Sequence, residues 1–265
     1  MIKRVAIIGI FVVVFVLLLW RAMPTQERSL HGHAMGCEWS LKWRGTAPKS
    51  TALEHEVSQV LEQWEQVMST WRADSDLSRF NQGAPASPEL KRVIELAENM
   101  SQQSAGAFDP YLLEKVHQAG FAPAGKGLDL SGIGKGFAVD RVAERLRSLG
   151  VNDFLFQLAG ETIAGDGAWD VAIEAPDPAV RTITKRVKLQ NQALATSGNY
   201  RQYQRSDQGI VSHIIDPRTG KSVIRPFSSV TVIASDCAHA DAWSTALFVL
   251  GKEHQEPTLQ VIWQE

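Results

Sequence analysis

The order of the periodic segments constrains the fold more than any other feature of this sequence. Apolar residues at helical spacing predict an amphipathic helix over Thr51–Met68. A second helix is predicted to begin at Ser87-Pro88-Glu89, because serine is a favoured N-cap and proline fits the first turn. A third is predicted from about Gly136 to Leu149, where Gly150 ends it.

The strand patterns follow mostly after these helices. Short alternating or apolar segments predict strands at His33–Trp43, Phe154–Leu158, Trp169–Ile173, Thr182–Leu189 and Ser228–Ala234. A last helix is predicted over Asp241–Leu250. Because helices come early and strands cluster later, we expect an α+β domain and not a regular doubly wound sheet. The 265 residues suffice for one large domain or two small lobes.

The N-terminus differs in character from the rest of the chain. Lys3 and Arg4 precede an uncharged apolar run, Val5–Trp20, slightly shorter than the roughly 20 residues of a spanning helix. No small-residue cleavage site follows the run, so we expect an uncleaved signal anchor over residues 1–22 in preference to a cleaved signal peptide. We expect a linker over 23–32 and a catalytic domain over 33–265. The basic residues would keep the N-terminus in the cytoplasm and place the domain outside.

Charge and cysteine content limit the class of protein further. The net charge of −2 argues against a nucleic-acid-binding protein. Cys37 and Cys237 are the two cysteines of the chain. Export would permit a disulfide between them, but two free thiols fit equally well, and the sequence leaves the choice open.

The segment Asp129–Asp140 predicts a site for a phosphate-bearing molecule. Gly132, Gly134 and Gly136 surround Lys135 and run directly into a helical pattern. Glycines let the backbone approach an anion, and a helix start offers free N–H groups. The segment lacks the Ser or Thr of a Walker A motif after the lysine, and its glycine spacing is not that of a dinucleotide fingerprint. A plain turn at a helix start is the structural alternative.

Two later segments carry candidate catalytic and metal-binding groups. His213 follows an apolar approach strand and precedes a turn, and histidine is a natural general base; it could also be a structural histidine beside a hairpin. Asp241 and Thr245 lie one helical turn apart and share a face, so their oxygens could ligate Mg²⁺. The alternative is an N-cap aspartate beside a buried threonine.

Taken together and in order, the motifs of this chain resemble those of the ApbE family, the FAD:protein FMN transferases. They are Met35-Gly36, STWRADSDLSRFN (69–81), AFDP (107–110), DLSGIGKGFAVD (129–140), ATSGNY (195–200), SHIIDPRTG (212–220) and ADAWSTALFVLG (240–251). The resemblance implies an α+β fold related to the T-fold, with mixed or antiparallel sheets and flanking helices in one catalytic domain.

The resemblance also implies the activity. Such enzymes cleave the pyrophosphate of FAD, attach FMN through a phosphoester bond to a Thr or Ser hydroxyl of an exported acceptor protein, release AMP and require Mg²⁺. Acceptors include subunits of ion-pumping NADH:quinone oxidoreductases and related electron-transfer flavoproteins. The chain would then be anchored in the bacterial inner membrane with its catalytic domain in the periplasm. An FAD pyrophosphatase that uses water as the acceptor, or a non-catalytic flavin-binding module, are the alternatives.

Residue roles follow from the same resemblance. Asp241 and Thr245 would bind Mg²⁺ through side-chain oxygens and Gly132 through its carbonyl, and His213 would be the base. The residues expected to contact FAD are Met35, Trp71, Ala107, Phe108, Asp109, Asp129, Lys135 and Ile214. The chain departs from the family pattern at Cys37, where Thr is common, and at Ala159-Gly160-Glu161, where two glycines often precede the acidic residue.

Overall fold

The computed structural model describes residues 26–207, 209–254 and 256–265. The predicted signal anchor at residues 1–22 lies outside these ranges. Within them, no helix is both long enough and apolar enough to cross a membrane.

The described strands and helices alternate little along the chain, as an α+β fold requires. The strands are β1 (Arg28–Ala34), β2 (Cys37–Trp43), β3 (Phe154–Leu158), β4 (Glu161–Ala164), β5 (Trp169–Glu174), β6 (Ile183–Leu189), β7 (Ala193–Gly198), β8 (Tyr203–Ser206), β9 (Gly209–Ser212), β10 (Ile215–Asp216), β11 (Lys221–Ser222), β12 (Ser229–Ala234) and β13 (Gln260–Gln264). The helices are α1 (Ser50–Met68), α2 (Asp76–Asn81), α3 (Pro88–Gln103), α4 (Leu113–Gln118), α5 (Gly134–Ser148) and α6 (Cys237–Leu250).

A seven-stranded sheet in the order β1-β2-β3-β4-β7-β12-β13 organises the described part of the chain. Its neighbouring strands pair antiparallel. Helices α1, α5 and α6 cover one face and enclose the main hydrophobic core. On the other face, a second apolar cluster joins the β5–β6 hairpin to the sheet through Trp169, Leu194 and Ile233. The expected α+β fold, with a mainly antiparallel sheet and flanking helices, is confirmed.

The first predicted strand is wrong in one respect, because it is a hairpin. Met35 and Gly36 have φ values of 51° and 69° and form a two-residue turn between β1 and β2. Both central residues of a type I′ turn need positive φ, which a glycine adopts freely and a methionine rarely does. Strand β1 begins at Arg28 and therefore includes part of the range predicted as a linker.

Two helices begin earlier than predicted, one because of a local turn and the other because of a tertiary contact. Helix α5 begins at Gly134 without a side-chain cap, after a turn in which the Leu130 carbonyl accepts the N–H groups of Ile133 and Gly134. Helix α6 begins at Cys237, because the Asp140 carboxylate from α5 accepts the N–H groups of Cys237 and Ala238 at 2.8 and 2.9 Å. These cross-helix bonds satisfy donors that a helix start otherwise leaves free.

Candidate active site

One large cleft contains every residue that the sequence predicted for the site. Its volume is about 1610 Å³, above the roughly 300–1,000 Å³ of a pocket for one small ligand. It opens at the end of the sheet where the β1–β2 and β3–β4 turns lie. The predicted residues in its lining are Met35, Trp71, Ala107, Phe108, Asp109, Asp129, Gly132, Lys135, His213, Ile214, Asp241 and Thr245.

The glycine-lysine segment forms the floor of this cleft. The buried Asp129 carboxylate accepts a hydrogen bond from the N–H of Ser131 at 2.9 Å, and the backbone N–H of Asp129 donates to the Pro110 carbonyl. Burial raises the pKa of Asp129, although the bonds to Ser131 oppose the shift. These contacts fix the turn that leads into α5, and they direct Lys135 from the first turn of the helix into the cleft.

Lys135 makes a close ion pair inside the cleft. Its Nζ donates to Oε1 of Glu161 at 2.7 Å, and the Glu161 side chain is only 4% exposed. Oε2 of Glu161 is buried and has no hydrogen-bond partner among the described residues. Burial alone would lower the pKa of Lys135, but the carboxylates of Glu161 and Asp241 outweigh it and raise that pKa above its ordinary value. In the sequence, Glu161 was noted only as the acidic residue that follows the departure at Ala159-Gly160, and no role was predicted for it.

Asp241 lies at the contact between α5 and α6. Its Oδ2 accepts the backbone N–H of Gly136 at 3.0 Å, and its side chain is buried. Burial raises the pKa of Asp241 to about 7, the Lys135 charge opposes the shift, and the Glu161 charge adds to it. Two carboxylates therefore lie near a single ammonium group, which is paired with Glu161, and an additional positive charge would be stabilising in this poorly solvated place.

Thr245 and Gly132 lie against each other beside Asp241. A Cβ built on Gly132 would be 3.3 Å from Oγ1 of Thr245, so the backbone at Gly132 closely approaches that hydroxyl. Oγ1 of Thr245 is also 3.2 Å from Oγ of Ser197, which is 2.7 Å from Oγ of Ser244. Sequence reasoning missed Ser197 and Ser244 as site residues, since their contacts join β7 to α6 across about 47 residues of chain.

The donors that meet here fit a hard cation. Asp241, Thr245 and the Gly132 backbone offer oxygen atoms, which Mg²⁺ prefers, and the orphaned oxygen of Glu161 adds negative charge nearby. Within residues 26–207, 209–254 and 256–265, no group of three or more His, Cys, Asp or Glu side chains is arranged to hold a metal. A site with a single carboxylate, a hydroxyl and a carbonyl does not require such a group.

His213 reaches the cleft from the segment after β9. Its ring packs edge-on against Phe121 at 6.1 Å between centroids, and its Nδ1 makes a long 3.5 Å contact with the Gln202 carbonyl. Burial lowers the pKa of His213 to about 4, and the charge of Lys135 acts in the same direction. The imidazole is therefore neutral at pH 7, as a general base must be.

The remaining predicted residues form the walls of the cleft. Trp71 is 72% exposed and offers an aromatic face, while Ala107, Phe108 and Ile214 are buried. The N–H of Met35 donates to Glu65 at 3.2 Å, which holds the strained turn in place. A flat ligand could stack on such aromatic and apolar surfaces.

Both cysteines are free thiols, which resolves the alternative that the sequence left open. Cys37 lies in the cleft wall, and Cys237 is buried at the start of α6. Burial raises the pKa of both thiols, so neither is activated as a nucleophile.

Known proteins share this sequence pattern. The profile of the ApbE family matches residues 35–127 and 113–262. A Vibrio cholerae protein named FAD:protein FMN transferase is 30% identical, and the match covers 90% of this chain and 88% of that protein. A protein of the same name from Escherichia coli K12 is 29% identical over 86% of this chain and 80% of its own length.

Solved structures share the fold. Flavin transferase ApbE from Vibrio cholerae superposes with a TM-score of 0.76 at 28% identity, covering 91% of this chain and 94% of that one. The apo form of Pseudomonas stutzeri flavinyl transferase ApbE gives a TM-score of 0.77 at 30% identity, with coverages of 88% and 87%.

The fold and the relatives define an enzyme of the FAD:protein FMN transferase class. The chain belongs to the ApbE family, as the order of its motifs indicated.

Proposed function

We propose that this protein is an Mg²⁺-dependent transferase that moves FMN from FAD to a Thr or Ser hydroxyl of an exported acceptor protein and releases AMP. The observation that carries the proposal is the meeting of three groups in one cleft. A neutral His213, a charged Lys135 and the oxygen donors around Asp241 come from distant parts of the chain.

In the proposed reaction, the chain holds FAD and moves one proton. Lys135 and the turn that begins at Asp129 and leads into α5 would bind the nucleotide, and Trp71 would stack on one of the rings of FAD. His213 would accept the proton of the acceptor hydroxyl as that oxygen forms a bond to the phosphorus on the FMN side. The bond from this phosphorus to the bridging oxygen breaks, and AMP leaves with that oxygen. Phosphoryl transfer depends mainly on such positioning and on charge neutralisation.

The cation site has a supporting role in this scheme. Asp241, Thr245 and the carbonyl of Gly132 would hold Mg²⁺. When bound, the ion would neutralise charge on the pyrophosphate and on the departing AMP. Ser197 would orient the Thr245 hydroxyl through their 3.2 Å contact.

The proposed partner is supported by the resemblance of the motifs to the family, and the proposed location by the N-terminal sequence. The acceptor would be an exported flavoprotein, such as a subunit of an ion-pumping NADH:quinone oxidoreductase or a related electron-transfer protein. The apolar run at Val5–Trp20 would anchor the chain in the bacterial inner membrane, with the catalytic domain on the periplasmic side.

Acceptor labelling tests the proposal. The full chain would be incubated with FAD, Mg²⁺ and an acceptor domain, and the acceptor analysed by intact-mass and peptide mass spectrometry. We expect FMN on one Thr or Ser, and none with His213→Asn on the same timescale. An unlabelled acceptor, with a known transferase active in parallel, would refute the proposal. Free FMN without label would indicate a pyrophosphatase, and FAD binding without turnover a carrier module.

A further inference from the structure

Lys135 lies between two acidic side chains that belong to different elements. Glu161 is the first residue of β4, and Asp241 lies in the first turns of α6. The N–H of Gly136, next to Lys135 in the chain, donates to Asp241 at 3.0 Å, so the lysine backbone runs directly past this carboxylate. The Lys135 side chain could in principle pair with either acid.

The structure shows which partner the lysine takes. In the part of the chain that the structure describes, the ion pair of Lys135 is with Glu161, at 2.7 Å. The Glu161 carboxylate is almost wholly buried, and its other oxygen has no hydrogen-bond partner among the described residues. A buried carboxylate that is paired with a single ammonium holds that ammonium firmly, because little water is present to replace the lost partner.

We propose that Glu161 is a positioning residue that keeps the Lys135 ammonium away from Asp241 and so leaves Asp241 available to a divalent cation. The inference rests on the proposed function, since it concerns the cation site of that reaction. Lysine carries its charge on a flexible four-carbon stem. Without Glu161, the ammonium would pair with Asp241 and compete with the cation for the same carboxylate.

Competition gives a signature that a direct ligand or a structural residue would not give. If Glu161 acts by holding the lysine, its removal weakens cation binding, and removal of the lysine as well restores it. If Glu161 ligates the cation or merely supports the fold, the second substitution brings no recovery.

The experiment measures Mn²⁺ binding to the full chain without FAD, by calorimetry or by electron paramagnetic resonance of free Mn²⁺. Glu161→Gln should bind roughly tenfold more weakly than wild type, within the usual range for coupling between two sites. Glu161→Gln combined with Lys135→Met should return to within about threefold of wild type. Glu161→Asp, which keeps the charge, should stay near wild type. Glu144→Gln, which removes an exposed carboxylate paired with Arg141 on the same helix as Lys135, should change nothing.

Two results would overturn the inference: unchanged Mn²⁺ binding by Glu161→Gln, or weakened binding that the double variant does not restore. If Glu161→Gln fails to fold by circular dichroism, Glu161→Ala replaces it in both the single and the double variant, and the same two results overturn the inference. FMN transfer by the wild-type enzyme is measured separately. If the wild type transfers FMN but the variants give either overturning result in Mn²⁺ binding, only this inference is refuted. If the wild type neither binds Mn²⁺ nor transfers FMN, the proposed function is refuted as well.

Discussion

The backbone N–H of Gly136 donates a 3.0 Å hydrogen bond to the side chain of Asp241, and the two helices that carry them touch at this point. A Cβ on Gly136 would lie 2.4 Å from the Cys237 carbonyl oxygen and 2.8 Å from the Cβ of Asp241. Both atoms belong to α6 and cannot swing aside as a flexible side-chain tip could. The position of the Asp241 carboxylate therefore depends on the absence of a side chain at residue 136.

Gly136→Ala should push α5 and α6 apart. We expect a loss of roughly 1–3 kcal/mol in the free energy of unfolding, as for other overpacked sites, together with weaker cation dependence of transfer. Gly134→Ala is the matched control on the same helix, because its new Cβ would meet Met68 Sδ at an ordinary 3.6 Å. Urea unfolding of both variants measures the difference, and equal stability of the two would contradict it.

His213→Asn should separate binding from chemistry. Loss of a general base lowers the rate by about 10²–10⁴-fold, while FAD affinity should change little because the nucleotide is expected to contact other residues. Single-turnover transfer and FAD fluorescence titration measure the two quantities. His55→Asn, on the exposed side of α1, is the control and should keep full activity. A large loss of FAD affinity with a normal transfer rate would assign His213 to binding instead.

The pH dependence should reflect the lowered pKa of the His213 imidazole. Because burial lowers the pKa of His213 to about 4 from 6.5, the histidine stays neutral in the folded enzyme down to that range. We therefore expect no inflection near pH 6.5 from this residue in the profile of kcat/KM for the acceptor. Between pH 6.5 and 4 the unfolded chain binds a proton at this position and the folded chain does not, so stability falls as pH falls. His213→Asn should reduce that fall in stability. An acid limb of the kcat/KM profile centred near pH 6.5 that is absent from His213→Asn would show instead that the pKa of this imidazole is not lowered.

Asp140→Ala should destabilise the start of α6. It would leave the buried N–H groups of Cys237 and Ala238 without their acceptor, at a cost on the order of 3 kcal/mol. Asp236→Ala removes the more exposed N-cap that accepts the His239 N–H, and should cost about 1 kcal/mol. Thermal and urea unfolding give the comparison. A smaller loss for Asp140→Ala than for Asp236→Ala would show that the cross-helix cap is unimportant.

Ala159→Gly should be neutral or stabilising by about 0.5 kcal/mol. Ala159 has φ of 51° in the turn between β3 and β4, a conformation that costs an L residue about 1–2 kcal/mol and glycine almost nothing. The greater freedom of glycine in the unfolded chain offsets part of this gain. In contrast, Ala52→Gly on the exposed face of α1 should destabilise by about 1 kcal/mol. A clear loss of stability in Ala159→Gly would show that the turn is unstrained.

Local patterns predicted the four longest helices, α1, α3, α5 and α6, and the strands β2, β3, β5, β6 and β12, because each carries its own signal. The strands β4, β7 and β13 of the main sheet were not predicted. Ser87 caps its helix as expected, and β3 has the bounds that its sequence indicated. The hairpin at Met35-Gly36 was missed, since residue alternation runs through the turn without a break. The early start of α6 was missed for another reason, because it depends on Asp140 from a different helix.

Site residues that stand in a distinctive motif could be predicted from the sequence. Site residues whose role depends on a contact with a residue distant in the chain could not. Lys135 and Asp241 stand in distinctive segments, and both line the cleft. Glu161 and Ser197 gain their place in the site from contacts across 26 and 48 residues of chain. Their importance follows from burial and distance, which a sequence pattern does not contain.

In the proposed reaction, AMP release and acceptor labelling are one event. Quenched-flow samples of enzyme, FAD, Mg²⁺ and acceptor would be analysed for AMP by chromatography and for acceptor-bound FMN by mass spectrometry. We expect equal amounts of AMP and acceptor-bound FMN at every time point and almost no free FMN. AMP formed in step with free FMN, at a rate that does not depend on the acceptor, would contradict it.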